Sequence, residues 1–374
     1  LLAVGQSLAM YLQIVTDYGF SLAGVREVAR HRPDRGRLAQ IFASVLGAKA
    51  LLLLPASLLA LLAYLLLPAL RGQVEVAFSA LFWAAAWGLS PVWFFQGLER
   101  MAEVAFLEVL TRGLATLGVF LLVQEPGQAY LPLLLNGLGA LVATALGTLW
   151  AVRGFGLPRP GLRGIWAHLR LGGSMFFFRS VVTLYTAANP ILLSLFVPPA
   201  QVGLYAGAER LTKAILALVE PLNRAFLPRL AHLVRQDRGR GGALATRLFW
   251  SMGGIALLGA LGCYLLAPLG TALLLGPGYE GAVPLMRILA LLLPLVALSN
   301  LLGLQWMLAL GLDRPFNAII LGAGVLNLLL GSLFAFLFGA PGLAWAVVLA
   351  EASVTGGMLL YLGRKGLLPW EVVR

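Results

Sequence analysis

The sequence predicts an all-α polytopic membrane protein, and three observations predict it. Of 374 residues, 60% are hydrophobic and 11% charged, with a mean hydropathy of +0.91, whereas a soluble globular domain is about 25% charged. The apolar runs reach the roughly twenty residues that cross a bilayer as a helix. They are too long for the alternating strands of about ten residues that build a membrane barrel, and a helix satisfies its own backbone groups in hydrocarbon. The third observation is the placement of the 27 Lys and Arg residues, which follows from the spans.

Cut at charge clusters and Pro/Gly turns, the chain gives eleven spans. The first, near 1–25, ends at the cluster Arg26 to Arg37. The second, 38–67, stops at Pro68, and the third, 74–96, stops at Gly97-Leu98-Glu99-Arg100. The fourth, 102–124, ends at Glu125-Pro126, and the fifth, 128–152, at Arg153. Residues 154–168, rich in Gly, Pro and Arg, read as a linker. Beyond it, 169–197 ends at Pro198-Pro199 and 200–228 at Arg229. The last four, 246–274, 281–310, 315–338 and 342–362, are separated by Gly276 to Gly281, by Gly311-Leu312-Asp313-Arg314 and by Gly339 to Gly342.

Alternate connections then differ sharply in charge. One side holds twenty cations, in the clusters Arg26 to Arg37, Arg100, Arg153 to Arg170, Arg224 to Arg247, Arg314 and Arg364 to Arg374; the other holds Arg71. Basic loops stay cytoplasmic, so the expected location is a bacterial or archaeal cytoplasmic membrane. The net charge of +12 is thereby explained by topology, and no nucleic-acid partner is implied.

A repeat organises the spans. Asp34-Arg35-Gly36-Arg37 recurs as Asp237-Arg238-Gly239-Arg240, and Gly97-Leu98-Glu99-Arg100 as Gly311-Leu312-Asp313-Arg314. Both copies of each fall on the basic side, as parallel halves with an even number of spans require. The second half shows six spans and the first five, and the chain opens at Leu1 inside an apolar segment. The expectation is two six-helix bundles in parallel repeat, with the first helix missing: an N-terminal bundle over 1–153 (helices 2–6), a cytoplasmic linker over 154–168 and a C-terminal bundle over 169–374 (helices 7–12).

Six cations, Lys49, Arg112, Arg179, Arg210, Lys213 and Arg287, lie within spans, where each costs about 2.5–3.5 kcal/mol unless it meets a partner or water. They are the candidate substrate-binding residues, expected around a hydrated cavity. Lys49, Arg112, Arg210 and Lys213 lie too deep to snorkel, whereas Arg179 and Arg287 are shallower. Glu108 and Arg112, and Glu209 and Lys213, stand four apart and can pair on one helix face. Asp17, Glu108, Glu209, Glu220 and Glu351, within or near spans, are candidate carriers of a coupling H+ or Na+. Glu99, Arg100, Asp313 and Arg314 are expected at a cytoplasmic gate or turn. Pro55, Pro91, Pro190, Pro221 and Pro294 are expected to bend their helices, and Gly139, Ala143 and Gly147, spaced by four, to form a close helix contact.

Other chemistry is disfavoured. Cys263 is the sole cysteine and lies within a span, while His31, His168 and His232 sit beside arginines at span ends, so neither a metal site nor a cofactor is expected. The external turns are a few residues long, and no nucleophile motif, paired acids or phosphate loop is present, which argues against a membrane glycosyltransferase or polymerase. A multidrug-type exporter of cationic amphiphiles, or an exporter of another lipid precursor, is the alternative architecture. The basic excess within the membrane weighs against cationic cargo.

Asp17-Tyr18-Gly19-Phe20-Ser21-Leu22 through Arg26-Glu27-Val28-Ala29 resembles a signature of the Wzx-type O-antigen flippases of the polysaccharide-transport family. Trp93-Phe94-Phe95-Gln96-Gly97-Leu98-Glu99-Arg100-Met101 is similar to a second signature. Leu184 to Pro190, Gly203 to Ala206, Ala208 to Leu211 and Pro221 to Arg229 resemble a third. The resemblance implies membership of the superfamily that also holds multidrug exporters and the lipid II flippase. It implies twelve helices in two bundles and a substrate of undecaprenyl-pyrophosphate-linked oligosaccharide, turned from the inner to the outer leaflet for O-antigen or other surface polysaccharide. Expected partners are that lipid-linked oligosaccharide, membrane lipids, and the polymerase and glycosyltransferases of the same biosynthesis.

Overall fold

A computed structural model describes residues 1–125, 127–153, 161–187, 189–217, 230, 233–234 and 236–372, with side chains for all of these but Leu22, 174–175 and 177–187. Helices are its regular elements throughout the described residues. They fall into two compact units, Leu1–Leu195 and Phe196–Arg374.

In the first unit, α1 (Leu2–Asp17) and α2 (Phe20–Arg30) form one span broken at Tyr18 and Gly19, which take left-handed φ of 47° and 80°. The break turns Asp17 and Ser21 toward each other. Asp34 then starts α3 (Arg35–Leu66), its carboxylate accepting from the Arg37 N–H at 2.9 Å, which satisfies one of the orphan donors of the first turn. Next come α4 (Val74–Gly88), α5 (Val92–Gly97), α6 (Met101–Leu122) and α7 (Leu131–Arg153). After these, α8 (Leu162–Ala187) packs on α1, α2 and α3, and α9 (Asn189–Ser194) on α1 and α8. Residues 154–160 of the expected linker lie outside the described residues. The core gathers Phe20, Phe42, Trp93, Phe94 and Phe95, with Phe42 meeting Phe94 edge-on at 5.0 Å between ring centres. On α7 the small residues bring backbones together as expected, a Cβ at Gly139 falling 2.6 Å from the Thr111 carbonyl oxygen of α6.

The second unit holds α10 (Pro199–Ala217), α11 (Arg238–Leu274), α12 (Ala282–Leu289) and α13 (Leu292–Asn300). A π-helical segment (Leu301–Met307) continues α13, and α14 (Asp313–Arg364) completes the unit. At Gly339 the backbone leaves helical geometry (φ 64°, ψ −142°), so α14 is two spans doubled back at one glycine. Trp306, Met307, Phe316, Val354 and Met358 form the core.

Seven stretches are long and apolar enough to cross a membrane among the described residues, and Asp313–Arg364 supplies two spans of the expected eleven. The expected spans 1–25, 169–197 and 200–228 fall on α1–α2, α8–α9 and α10; the first is broken at Tyr18–Gly19, and residue 188 of the second and residues 218–228 of the third lie outside the described residues. Of the five expected bends, Pro91 and Pro294 mark breaks between helices, Pro190 stands at the start of α9, Pro55 is accommodated within continuous α3, and Pro221 lies outside the described residues.

The repeat is visible in backbone chemistry. Asp237 caps α11 as Asp34 caps α3, accepting from Gly239 and Arg240 N–H. The other pair of tetrapeptides needs a correction. Left-handed residues end the two preceding helices at Glu99 (φ 61°) and Gly311 (φ 76°), followed by the matching bonds Arg100 N–H to Phe95 O and Leu312 N–H to Met307 O, both 2.9 Å. The turns therefore correspond two residues out of the register that the tetrapeptides suggest, because the αL position, not the Gly-Leu-acid-Arg string, fixes the chain reversal.

Candidate functional site

The first unit owes its site to a break in a helix. Pro91 has no N–H, so α4 ends at Gly88, and the Ser90 N–H turns back to Trp87 O at 2.9 Å. Carbonyls near the break lose their helical donors, and a buried orphan carbonyl is costly in hydrocarbon. Two side chains from two other helices answer them, and a third packs nearby. Thr144 Oγ1 on α7 donates to Ala86 O at 2.8 Å, and Lys49 Nζ on α3 to Gly88 O at 2.7 Å. Thr16 Oγ1 on α1 approaches Ala84 O at 3.4 Å.

Lys49 also stands 3.8 Å from Asp17 Oδ1, and Asp17 Oδ2 accepts from Ser21 Oγ at 2.8 Å. Both charged residues are buried, Lys49 2% and Asp17 4% exposed. The carboxylate and the carbonyl end of α4 together neutralise the ammonium, as a cation at a helix C-terminus is favoured by the dipole.

Beside this pair opens a cavity of about 290 Å³ within the first unit, lined by Asp17, Ser21, Lys49, Ser90, Gln96, Glu108, Thr111 and Arg112, with Trp87 and Trp93 among its apolar walls. Glu108 and Arg112 both face it but do not close to ion-pair distance. Among the described residues Arg112 has no acidic partner. Four of the sequence-derived residues, Lys49, Arg112 and the acids Asp17 and Glu108, thus come together. Ser21, Gln96, Thr16 and Thr144 were missed; Ser21, four residues after Asp17, carried a readable signal.

At the basic end of this unit, Arg32 reaches Glu99 Oε1 at 2.8 Å and donates through Nε to Gly97 O at 2.8 Å. The hydrogen bond and the charge of Arg32 hold the Glu99 carboxyl below the usual carboxylate range. Arg100 pairs with Glu103.

The remaining sequence-derived residues are placed differently. Lys213 is exposed and 3.1 Å from Glu209, as the four-residue spacing suggested, and Arg210 is exposed on the same helix. Both belong to the second unit, apart from the lining of the cavity. Arg287 lies with its guanidinium carbon 5.0 Å above the Tyr264 ring. Glu351, 9% exposed, meets Ser299 Oγ at 2.6 Å, and one turn on, Thr355 Oγ1 donates to Leu295 O at 3.1 Å. Asp313 and Arg314 are exposed at their turn. Glu220 lies outside the described residues, and Arg179 is on α8 with its side chain outside them.

Residues 1–234 match the family model described as polysaccharide biosynthesis protein. Among curated relatives, a "Putative O-antigen transporter" of Escherichia coli (strain K12) is 26% identical over 371 residues, covering 97% of this chain and 88% of the relative. A protein of the same description from Shigella dysenteriae is 25% identical over 367 residues, covering 95% and 89%. In fold, the chain is similar to the lipid II flippase MurJ in an inward closed conformation (TM-score 0.72, 14% identity, 97% of this chain and 80% of that one). It is also similar to an inward-facing multidrug resistance MATE family transporter of the MOP superfamily (TM-score 0.67, 14% identity, 98% and 91%).

Proposed function

We propose a transport function from one premise: this chain belongs to the polysaccharide biosynthesis protein family. It is a multi-pass membrane protein, and its cargo in this reading is an undecaprenyl-pyrophosphate-linked oligosaccharide, moved from the inner to the outer leaflet of the cytoplasmic membrane for O-antigen or other surface polysaccharide. The observation that carries the reading is Arg112, an exposed cation on the wall of the first unit's cavity with no acidic partner among the described residues. A guanidinium fork pairs bidentately with phosphate oxygens.

Lys49 is already satisfied by Asp17 and Gly88 O, so Arg112 makes the first contact and Lys49 strengthens the field behind it. At about 290 Å³ the cavity lies at the lower end of the ~300–1,000 Å³ of small-ligand pockets. It suits the phosphates and the proximal sugar, with the remaining sugars outside it and the polyprenyl tail in the bilayer. Turnover is alternating exposure of the site to the two sides, with Asp17 as the carboxylate placed to exchange a coupling H+ or Na+. The polymerase and glycosyltransferases act before and after it on the same lipid carrier.

The test is a flipping assay in proteoliposomes with a fluorescent lipid-linked oligosaccharide. Arg112→Gln should slow transport at least tenfold, the loss of about one bidentate phosphate contact, while inserting normally. Equal rates for the variant and the parent chain would remove the assignment.

A further inference from the structure

In the second unit, α11 turns a face of leucines outward, Leu257, Leu261 and Leu265 each more than half exposed. Tyr264 interrupts that face at 48% exposure. Arg287 of α12 comes over its ring at 5.0 Å and donates through Nε to Tyr264 O at a long 3.4 Å. Met286 of α12 packs toward Gly270 and Leu293 of α13 toward Gly259, antiparallel to α11, and the bond to Tyr264 O puts the guanidinium at the level of Tyr264. Tyr264 is ten residues from the end of α11 at Leu274, about 15 Å at 1.5 Å per residue, roughly half the thickness of the hydrocarbon. The guanidinium therefore stays deep and does not climb toward the headgroups.

That position is expensive as it stands. Arginine keeps its charge and has five N–H donors, and among the described residues its one hydrogen bond is the long one from Nε. Among the described residues no acid lies within ion-pair distance of Arg287. Among the described residues no hydrogen bond from the Nη groups, the side of the fork that grips an oxyanion, is made. A ring face that stabilises a cation and a leucine surface suited to acyl chains complete the surroundings of an anionic lipid head.

We propose that Arg287 and Tyr264 form a membrane-embedded site for the phosphate ester of a lipid, distinct from the cavity of the first unit. The site takes the phosphorylated head on the half of the membrane away from the basic loops, with the chains lying along α11. The inference deepens the transport reading and rests on it: a phosphorylated carrier that crosses is served by a second cationic site as well as the first.

Native mass spectrometry of the full chain, titrated separately with a long-chain polyprenyl phosphate and with phosphatidylglycerol, tests the site. Arg287→Gln should weaken lipid binding about tenfold, Arg287→Lys should restore part of it, and Tyr264→Leu should weaken it less. Loss confined to the polyprenyl phosphate marks a station for the carrier; equal loss of both lipids marks a site for phosphorylated lipids at large, with the shared chemistry upheld. Unchanged binding of both in Arg287→Gln overturns the proposal. Arg112→Gln in the same titration separates the two ideas: if it weakens binding while Arg287→Gln does not, the transport reading stands and this site falls.

Discussion

The two units solve one problem in two ways. Each needs an interrupted helix, α4–α5 in the first and α12–α13 with its π-helical continuation in the second, and each ties that helix to a later one through a threonine. Thr144 donates to Ala86 O and Thr355 to Leu295 O, offsets of 211 and 209 residues, close to the 212 between Glu99 and Gly311. The interruptions themselves differ. Pro91 deletes a donor outright, and the first unit brings in a buried cation, Lys49, which in turn requires Asp17. The second has Gly303 near the equivalent place and widens into a π turn, Leu308 N–H reaching Gly303 O at 3.1 Å, a device that keeps the ladder closed. Its buried carboxylate, Glu351, meets a hydroxyl instead. A shared scaffold thus carries different chemistry at the break, and the cavity with Arg112 lies beside the charged version.

The largest expected effect breaks this contrast at its strongest point. Lys49→Met leaves Asp17 buried without its cation and Gly88 O without its donor, so the first unit should lose about 3–5 kcal/mol, the measured range for removing one partner of a buried pair. Asp17→Asn with Lys49→Met together should lose less than Lys49→Met by itself, because no net charge is then stranded. Thermal unfolding in detergent checks both, and a double variant as unstable as the single one would show that the carbonyl, rather than the charge, dominates. Glu351→Gln in the second unit should cost about 1–3 kcal/mol, since it disturbs the buried hydrogen bond with Ser299. Smaller still, Thr144→Val and Thr355→Val should each cost about 0.5–1.5 kcal/mol; similar values would sharpen the equivalence of the two ties, and a strongly unequal pair would break it.

Much of the fold was legible because hydrocarbon imposes it. Span length, cation asymmetry and the twin Asp-Arg-Gly-Arg caps all follow from rules that act locally along the chain. The site was legible only in part. Asp17 and Lys49 were singled out as charges in spans, but their partnership joins α1 to α3 across 32 positions of sequence and depends on the backbone break at Tyr18–Gly19. Lys213 and Glu209 were readable as a pair from their spacing of four, yet nothing in that spacing reveals that Lys213 is exposed while the Glu209 side chain is largely covered. Thr144 looks like any small polar residue on a helix until Pro91, 53 positions earlier, is seen to free a carbonyl for it.

The finest test lies at the two reversals, where the first unit has Glu99 in the left-handed region and the second has Gly311. Glycine takes that conformation freely, whereas glutamate is strained there, so the retained carboxylate has a reason, and its bond to Arg32 supplies one. Arg32 lowers the Glu99 carboxyl below its ordinary value of about 4.3. A depressed carboxylate contributes stability that is fully present above its unfolded pKa and is lost as pH falls through its folded one. The parent chain should therefore gain nothing from Arg32 below that lower pKa and recover the full contribution by about pH 5, while Glu99→Gln should be flat across the same window. Because the pair is exposed the difference is small and screened by salt, which supplies a control: raising ionic strength should bring the two curves together. Identical pH profiles at low salt would mean that Arg32 holds the turn through Gly97 O, a bond that does not titrate, and that the two reversals differ in sequence without differing in electrostatics.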